Sequence, residues 1–151
     1  MRSSTIYGHP DKAGSLGIFS LAAYNGSVQW SIPASCGYGG FFYIDFQTTI
    51  SAQQVDSAGH MITDAGQPAT GIHDDHNAGC THHGGTKSYD QVDYLELTMP
   101  FSVEKKSPVM ITIHVSGNAV AEFGGGGEVD FSSGMKSINL PGVYFGFTPS
   151  S

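Results

Sequence analysis

Residues 73–83 concentrate the side chains of this sequence that could bind a metal ion. The available donors are imidazole, carboxylate and thiolate groups, which zinc and other divalent transition metals accept as ligands. The spacing matches no established zinc-finger pattern, because those patterns need paired Cys or His residues at fixed separations. Two interpretations stay open: a solvated polar loop that holds no cofactor, or a site for zinc or another divalent metal. The predicted ligands are His73, Asp75, His76, His82 and His83, with Asp74 and Cys80 close to them in the chain.

The two cysteines, Cys36 and Cys80, lie in segments flanked by glycine. An even number of cysteines in an exported chain predicts a disulfide, which forms in oxidising compartments. Free buried thiols are one alternative, and a role of Cys80 as a metal ligand is another. Because a disulfide-bonded cysteine has no thiolate to offer, the predicted Cys36–Cys80 disulfide and a metal site that uses Cys80 exclude each other.

No sequence motif pairs a nucleophile with a general base. The chain lacks a nucleophile elbow and a metalloprotease helix, and the glycines at 124–127 are not followed by the Lys and Ser/Thr of a phosphate-binding loop. Glu128 and Asp130 could act as an acid and a base. Alternate residues of one strand share a face, however, where solvation by water is the simpler explanation. We therefore identify no catalytic residue and predict a protein without turnover.

Several aromatic residues fall on outward positions of predicted strands, where they could contact a ligand. Aromatic faces with polar neighbours suit stacking on sugar rings. The alternative is that a second subunit covers these rings. They predict self-association or binding to a matrix polysaccharide, and the candidate stacking residues are Trp30, Tyr38, Tyr43 and Tyr144.

The composition excludes other classes of partner. The chain has 151 residues and a formal net charge of −7, with 6 Lys and Arg against 13 Asp and Glu. It offers no basic surface for the phosphates of nucleic acid or for anionic lipid. No apolar run approaches the roughly 20 residues of a membrane-spanning helix, so we expect no membrane insertion. The 21 glycines and the charged fraction of 13% are instead typical of an exported β-protein.

Alternating apolar and polar residues predict an all-β fold. The apolar residues take mainly even positions in 42–50 and odd positions in 95–99 and 109–115, which is the period of a strand with one buried face. Weaker candidates are 16–24, 27–32, 119–123, 129–131, 135–140 and 143–147, with Asn25-Gly26 as one predicted turn. Together they predict one domain over residues 1–151, an antiparallel β-sandwich or jelly roll of roughly eight or nine strands. Residues 57–91 show no such period, and a long His/Gly-rich loop is expected there.

The last third of the chain has a distinctive order of segments. A hydrophobic strand at 108–115 is followed by a small-residue strand at 119–123, four glycines, an Asp-Phe-Ser segment and Leu-Pro-Gly-Val-Tyr at 140–144. This order resembles bacterial exported proteins of the PEP-CTERM class. The resemblance implies a surface or matrix protein associated with exopolysaccharide, with no assigned catalytic residues. The leader and the sorting tail of that class are missing, so we expect a trimmed ectodomain whose leader was removed.

These patterns together predict a non-catalytic extracellular surface or matrix protein that acts by assembly or by binding. A carbohydrate-binding module is the first alternative. A metal-dependent enzyme that uses the histidine-rich segment is the second.

Overall fold

The computed structural model describes residues 2–6, 12–34, 39–102 and 108–151, with the backbone alone at 2–6 and 67–70. These residues form nine β-strands, and none of them lies in a helix. The strands are β1 (Arg2–Ile6), β2 (Gly14–Ile32), β3 (Phe41–Val55), β4 (Met61–Asn77), β5 (His83–Phe101), β6 (Val109–Glu122), β7 (Gly126–Asp130), β8 (Ser137–Asn139) and β9 (Val143–Pro149). The prediction of an all-β sandwich with about this number of strands is confirmed.

The nine strands form two antiparallel sheets that pack against each other. Sheet A has the strand order β1-β6-β3-β4. Sheet B is built on β2, which pairs with β5 along its whole length. The other side of β2 pairs with three strands in turn: residues 14–20 with β9, 23–25 with β8 and 27–31 with β7. β2 is therefore the central strand of sheet B.

The core lies between the inner faces of the two sheets. The even positions of 42–50 and the odd positions of 109–115 are buried except for Phe46 and Val115, which are partly buried, so the predicted register of both strands is confirmed. Tyr24 of sheet B also reaches across the core, where its hydroxyl is hydrogen-bonded to the Thr48 hydroxyl of sheet A. Burial raises the pKa of Tyr24, which keeps the phenol protonated within this bond.

The predicted turn at Asn25-Gly26 is wrong, because both residues lie inside β2. Gly26 faces inward and is buried. A Cβ atom there would lie 2.4 Å from the ring of Phe131, which packs at 4.8 Å from the ring of Phe46. The glycine is thus needed for close packing within a strand, and no turn requires it.

The predicted long loop at 57–91 is also wrong, because β4 and β5 occupy most of this segment. Only residues 56–60 and 78–82 connect strands within it. The inward positions of these strands include polar residues such as Asp74, His76 and Lys87. A strand whose inner face is polar has no hydrophobic period, so the alternation was hidden.

A buried glutamine continues the pairing of strands where β5 ends. Gln54 is fully buried, and its amide donates to the Ser102 carbonyl and accepts from the Ser102 N–H, both at 2.9 Å. The side chain thereby satisfies both main-chain groups of Ser102, the residue that follows β5.

Candidate functional site

Strand β4 divides the histidine-rich segment between two faces of the sandwich. Asp74 and His76 point inward, toward β5, whereas His73 and Asp75 lie on the outer face of sheet A. His82 precedes β5, where its Nε2 atom lies 3.1 Å from the Ser31 hydroxyl. The residues predicted to share one metal ion therefore lie in different places.

The inward residues form a polar cluster at the edge where β4 of sheet A meets β5 of sheet B. We call Trp30, Asp74, His76, Lys87 and Tyr89 the edge cluster. Asp74 accepts a hydrogen bond from the Tyr89 hydroxyl, and its Oδ2 lies 2.9 Å from Lys87 Nζ and 3.4 Å from His76 Nε2. The His76 ring stacks on the Trp30 ring, with 3.5 Å between the centroids and an angle of 9° between the planes. The cluster thus joins the two sheets through the Asp74 carboxylate and through the stacking of His76 on Trp30.

The protonation states of the edge cluster favour a structural role. Desolvation raises the pKa of Asp74, but hydrogen bonds from Tyr89 and Lys87 and the charges of Lys87 and His76 outweigh it, so the pKa lies below its ordinary value. Burial and the bond to the Asp74 carboxylate raise the pKa of Tyr89. At neutral pH Asp74 is ionised and Tyr89 is protonated. Neither group has a pKa close to neutral, where an acid–base catalyst works best.

The described ranges contain no group of three or more His, Cys, Asp or Glu side chains placed to hold one metal ion. On the outer face of sheet A, His73 Nε2 lies 3.1 Å from Asp75 Oδ2, and its Nδ1 lies 3.7 Å from Asp45 Oδ1. This group has one imidazole, the exposed carboxylate of Asp75 and the partly exposed carboxylate of Asp45. His83 lies with the edge cluster, 6.0 Å from the His76 ring. The geometry of these side chains gives a metal centre no support.

Cys80 lies in the connection between β4 and β5 and is not a free thiol. Cys36 lies outside the described residues, so the Cys36–Cys80 disulfide stays a prediction. The connection itself is fixed by Ala78, which is buried and whose N–H donates to the Gly40 carbonyl at 3.0 Å.

The outer face of sheet B carries three aromatic rings. The Phe19 ring of β2 lies 5.9 Å from the Tyr94 ring of β5 and 6.3 Å from the Tyr144 ring of β9. Tyr94 is 69% exposed and Tyr144 is 62% exposed. We call Phe19, Tyr94 and Tyr144 the aromatic patch. No tyrosine hydroxyl of the patch has a hydrogen-bond partner among the residues that the structure describes, so both are available to a ligand.

A shallow cleft of about 290 Å³ lies beside the aromatic patch. Gly17 and Gly146 form its floor, and Phe19, Glu96 and Tyr144 line its sides. A second cleft of about 460 Å³ follows along the same three strands, from residue 14 to the chain end near residue 150. The outer face of sheet B therefore combines exposed rings with a depression that extends toward one end of the sheet.

The outer face of sheet A carries a second, smaller group of rings. Phe41 and Tyr43 stack with 6.1 Å between centroids, and the Tyr43 ring lies 6.3 Å from the His73 ring. Both aromatic residues are only partly exposed. Two carboxylates, Asp45 and Asp75, flank these rings.

The predicted stacking residues have different positions in the structure. Tyr144 belongs to the aromatic patch and Tyr43 lies on the outer face of sheet A, whereas Tyr38 lies outside the described residues. The predicted outward position of Trp30 is wrong. Trp30 shares the even numbering of the buried β2 residues, so its ring turns inward onto His76.

Sequence reasoning missed Phe19 and Tyr94, which complete the aromatic patch. Each alternates with buried neighbours: Phe19 lies between Ile18 and Ser20, and Tyr94 precedes the buried Leu95. The period of two could have placed both rings on the outer face. It could not have shown that β2 lies between β5 and β9, which is what brings the rings together.

In the described part of the chain, the aromatic patch and the cleft beside it are therefore the features available to a ligand. The ionisable groups of the edge cluster contact one another and hold the two sheets together. None of the described residues lies in a helix able to span a membrane. No protein-family model, curated protein or solved structure matches this chain.

Proposed function

We propose that this chain is a non-catalytic protein of the cell surface or extracellular matrix that binds polysaccharide through the outer face of sheet B. The aromatic patch carries this proposal. Exposed rings on a flat sheet face have the geometry that sugar rings need for stacking. Large exposed apolar groups that lie next to one another are characteristic of binding surfaces, whereas isolated ones are ordinary.

The edge cluster supports the non-catalytic part of the proposal. Its carboxylate is paired with a cation and a phenol, and neither the carboxylate nor the phenol changes its protonation state near neutral pH. A catalytic acid or base is instead expected to have a pKa near the working pH and to face a cleft. Among the described residues, the two clefts of sheet B are lined by one carboxylate, Glu96, and one phenol, Tyr144, and by no histidine or second carboxylate.

Retention of the purified chain on insoluble or immobilised polysaccharides tests this function. We expect retention of the wild type and loss of retention in the Tyr94→Ala variant, since that ring is the most exposed of the patch. Tyr43→Ala is the matched control, because it removes a tyrosine from the outer face of the other sheet. Equal retention of the two variants would contradict the choice of face, and no retention of the wild type would contradict the function.

Self-assembly through β5 is a second candidate function. Strand β5 has 19 residues and pairs only with β2 among the strands described. A long edge strand offers unpaired main-chain groups to another chain. Val92, which is 49% exposed on β5, marks the middle of this edge.

Sedimentation velocity over a range of protein concentrations tests the second candidate. Edge pairing predicts oligomers that grow with concentration and that are weakened by Val92→Lys, because a charge on an edge strand opposes pairing. A monomer at every concentration would exclude this mode of action and leave polysaccharide binding unaffected.

A further inference from the structure

We propose that the cleft between Gly17, Gly146 and Glu96 is a subsite for one pyranose ring of a neutral polysaccharide. This inference rests on the proposed function and adds a ligand class and a defined position to it. Its starting point is the floor of the cleft, which is built from two glycines that pair directly across β2 and β9.

Packing inside the protein does not require either glycine. Neither residue has a positive φ angle. A Cβ atom on Gly146 would meet nothing within 4 Å, and one on Gly17 would meet only the Gly146 carbonyl oxygen, at 3.8 Å. Glycine weakens a strand because it has more conformational freedom to lose. Neither the backbone conformation nor internal packing requires a glycine at these two positions. Their pairing across β2 and β9 therefore indicates that a molecule outside the chain approaches the sheet closely here.

The sides of the cleft suit a sugar ring. The Tyr144 ring is exposed and can contact the C–H face of a pyranose. Glu96 has no hydrogen-bond or ion-pair partner in the described part of the chain. Its carboxylate can accept hydrogen bonds from sugar hydroxyls, and bonds to a charged acceptor are the stronger kind. Glu96 and Tyr144 lie in one cross-strand row on either side of Phe19, and the two glycines lie in the next row. The cleft thus places an apolar ring and a polar acceptor beside a floor that has no side chains.

The charges select a neutral ligand. Of the residues that the structure describes, no Lys or Arg lines either cleft of sheet B, while Glu96 lines the first. A uronic acid or a sulfated sugar would meet a like charge without a counter-ion, which is unfavourable. The second cleft continues along the same strands, past Thr98 and Thr148. We therefore expect a linear neutral chain to lie along this face, with one ring on the glycine floor.

The Gly146→Ala variant tests the inference directly. The added methyl group enters open space in the free protein, so the Tm should stay within a few degrees of wild type or rise slightly. The same methyl group occupies the floor and should weaken binding by about tenfold or more. Gly66→Ala is the matched control, because Gly66 lies in β4 with only the Ile50 carbonyl oxygen, at 4.0 Å, near its Cβ position.

The measurement is isothermal titration with cellohexaose, laminarihexaose and mannohexaose as neutral probes and with oligogalacturonate as the anionic probe. Binding of a neutral probe that is lost in Gly146→Ala and kept in Gly66→Ala supports the subsite. Neutral-probe binding that Gly146→Ala leaves unchanged, or binding of oligogalacturonate alone, overturns the subsite while polysaccharide binding by the protein stands. Absence of binding to every probe, together with no retention on any polysaccharide, overturns both.

Discussion

Replacing Asp74 with Asn tests whether the edge cluster holds the two sheets together. The Asp74 side chain is only 14% exposed and accepts a hydrogen bond from Tyr89. A hydrogen bond to a charged group contributes about 1.5–3 kcal/mol. The Lys87 partner is half exposed, so its ion pair adds no more than about 1 kcal/mol. Because Asn keeps one acceptor oxygen but no charge, we expect Asp74→Asn to lower the free energy of unfolding by about 2 kcal/mol.

The pH dependence of this loss has a definite sign. The folded-state pKa of Asp74 lies below its ordinary value of 3.8. The carboxylate therefore stabilises the fold fully above the unfolded-state pKa, and this stabilisation is lost as the pH falls through the folded-state value. The difference between wild type and Asp74→Asn should be fully present at about pH 5 and should narrow below about pH 4.

Urea denaturation followed by tryptophan fluorescence measures this difference. Trp30 is the single tryptophan of the chain and stacks on His76 in the edge cluster, so its emission reports on the site of the substitution. The matched control is Asp75→Asn, on the next residue of β4. Asp75 is 59% exposed, and its replacement should change stability by less than about 0.5 kcal/mol. Equal losses from the two variants, or a loss for Asp74→Asn that persists unchanged at pH 3, would refute the role of the edge cluster.

Three further outcomes follow from the fold. Ile111→Glu places a carboxylate on a 1% exposed position and should unfold the protein, whereas Thr112→Glu on the outer face should lower the free energy of unfolding by less than about 1 kcal/mol. Urea titration of both variants checks the register of β6. Gln54→Ala removes the side chain that binds the N–H and the carbonyl of Ser102 and should lower the unfolding free energy by about 2–4 kcal/mol, which urea titration measures. The predicted Cys36–Cys80 disulfide should protect both thiols from alkylation until reductant is added, and labelling of two cysteines in the oxidised protein would show that it does not form.

The parts of the fold that sequence reasoning predicted correctly are those with one apolar and one polar face. The period of two in β3 and β6 identified the buried side of each strand, because water on one side and a core on the other impose that pattern. Phe42, Ile44 and Ile111 are buried as the period requires. In strands that lie over the middle of the core, the alternation of apolar and polar residues was therefore enough to identify the buried face.

The same reasoning failed at the edge of the sandwich. The inner face of β4 carries Asp74 and His76, whose burial is compensated by Tyr89 and Lys87 from β5. Such compensation depends on residues brought together by the pairing of strands, which local sequence does not specify. The aromatic patch could not be predicted for the same reason, since its rings come together only because β5 and β9 flank β2.

The pairing of β2 also has a consequence for how this chain reaches its folded state. Gly14, at the start of β2, pairs with Phe101 on one side and with Pro149 on the other. One side of the strand cannot be completed until residue 101 is present, and the other side cannot be completed until residue 149 is present. None of the described pairings of β2 is a local hairpin. Contacts between such distant parts of a chain slow folding, because the entropy of closing long loops must be overcome first. We expect this protein to fold late and slowly, in milliseconds to seconds, after synthesis has passed residue 149 rather than strand by strand as the chain emerges.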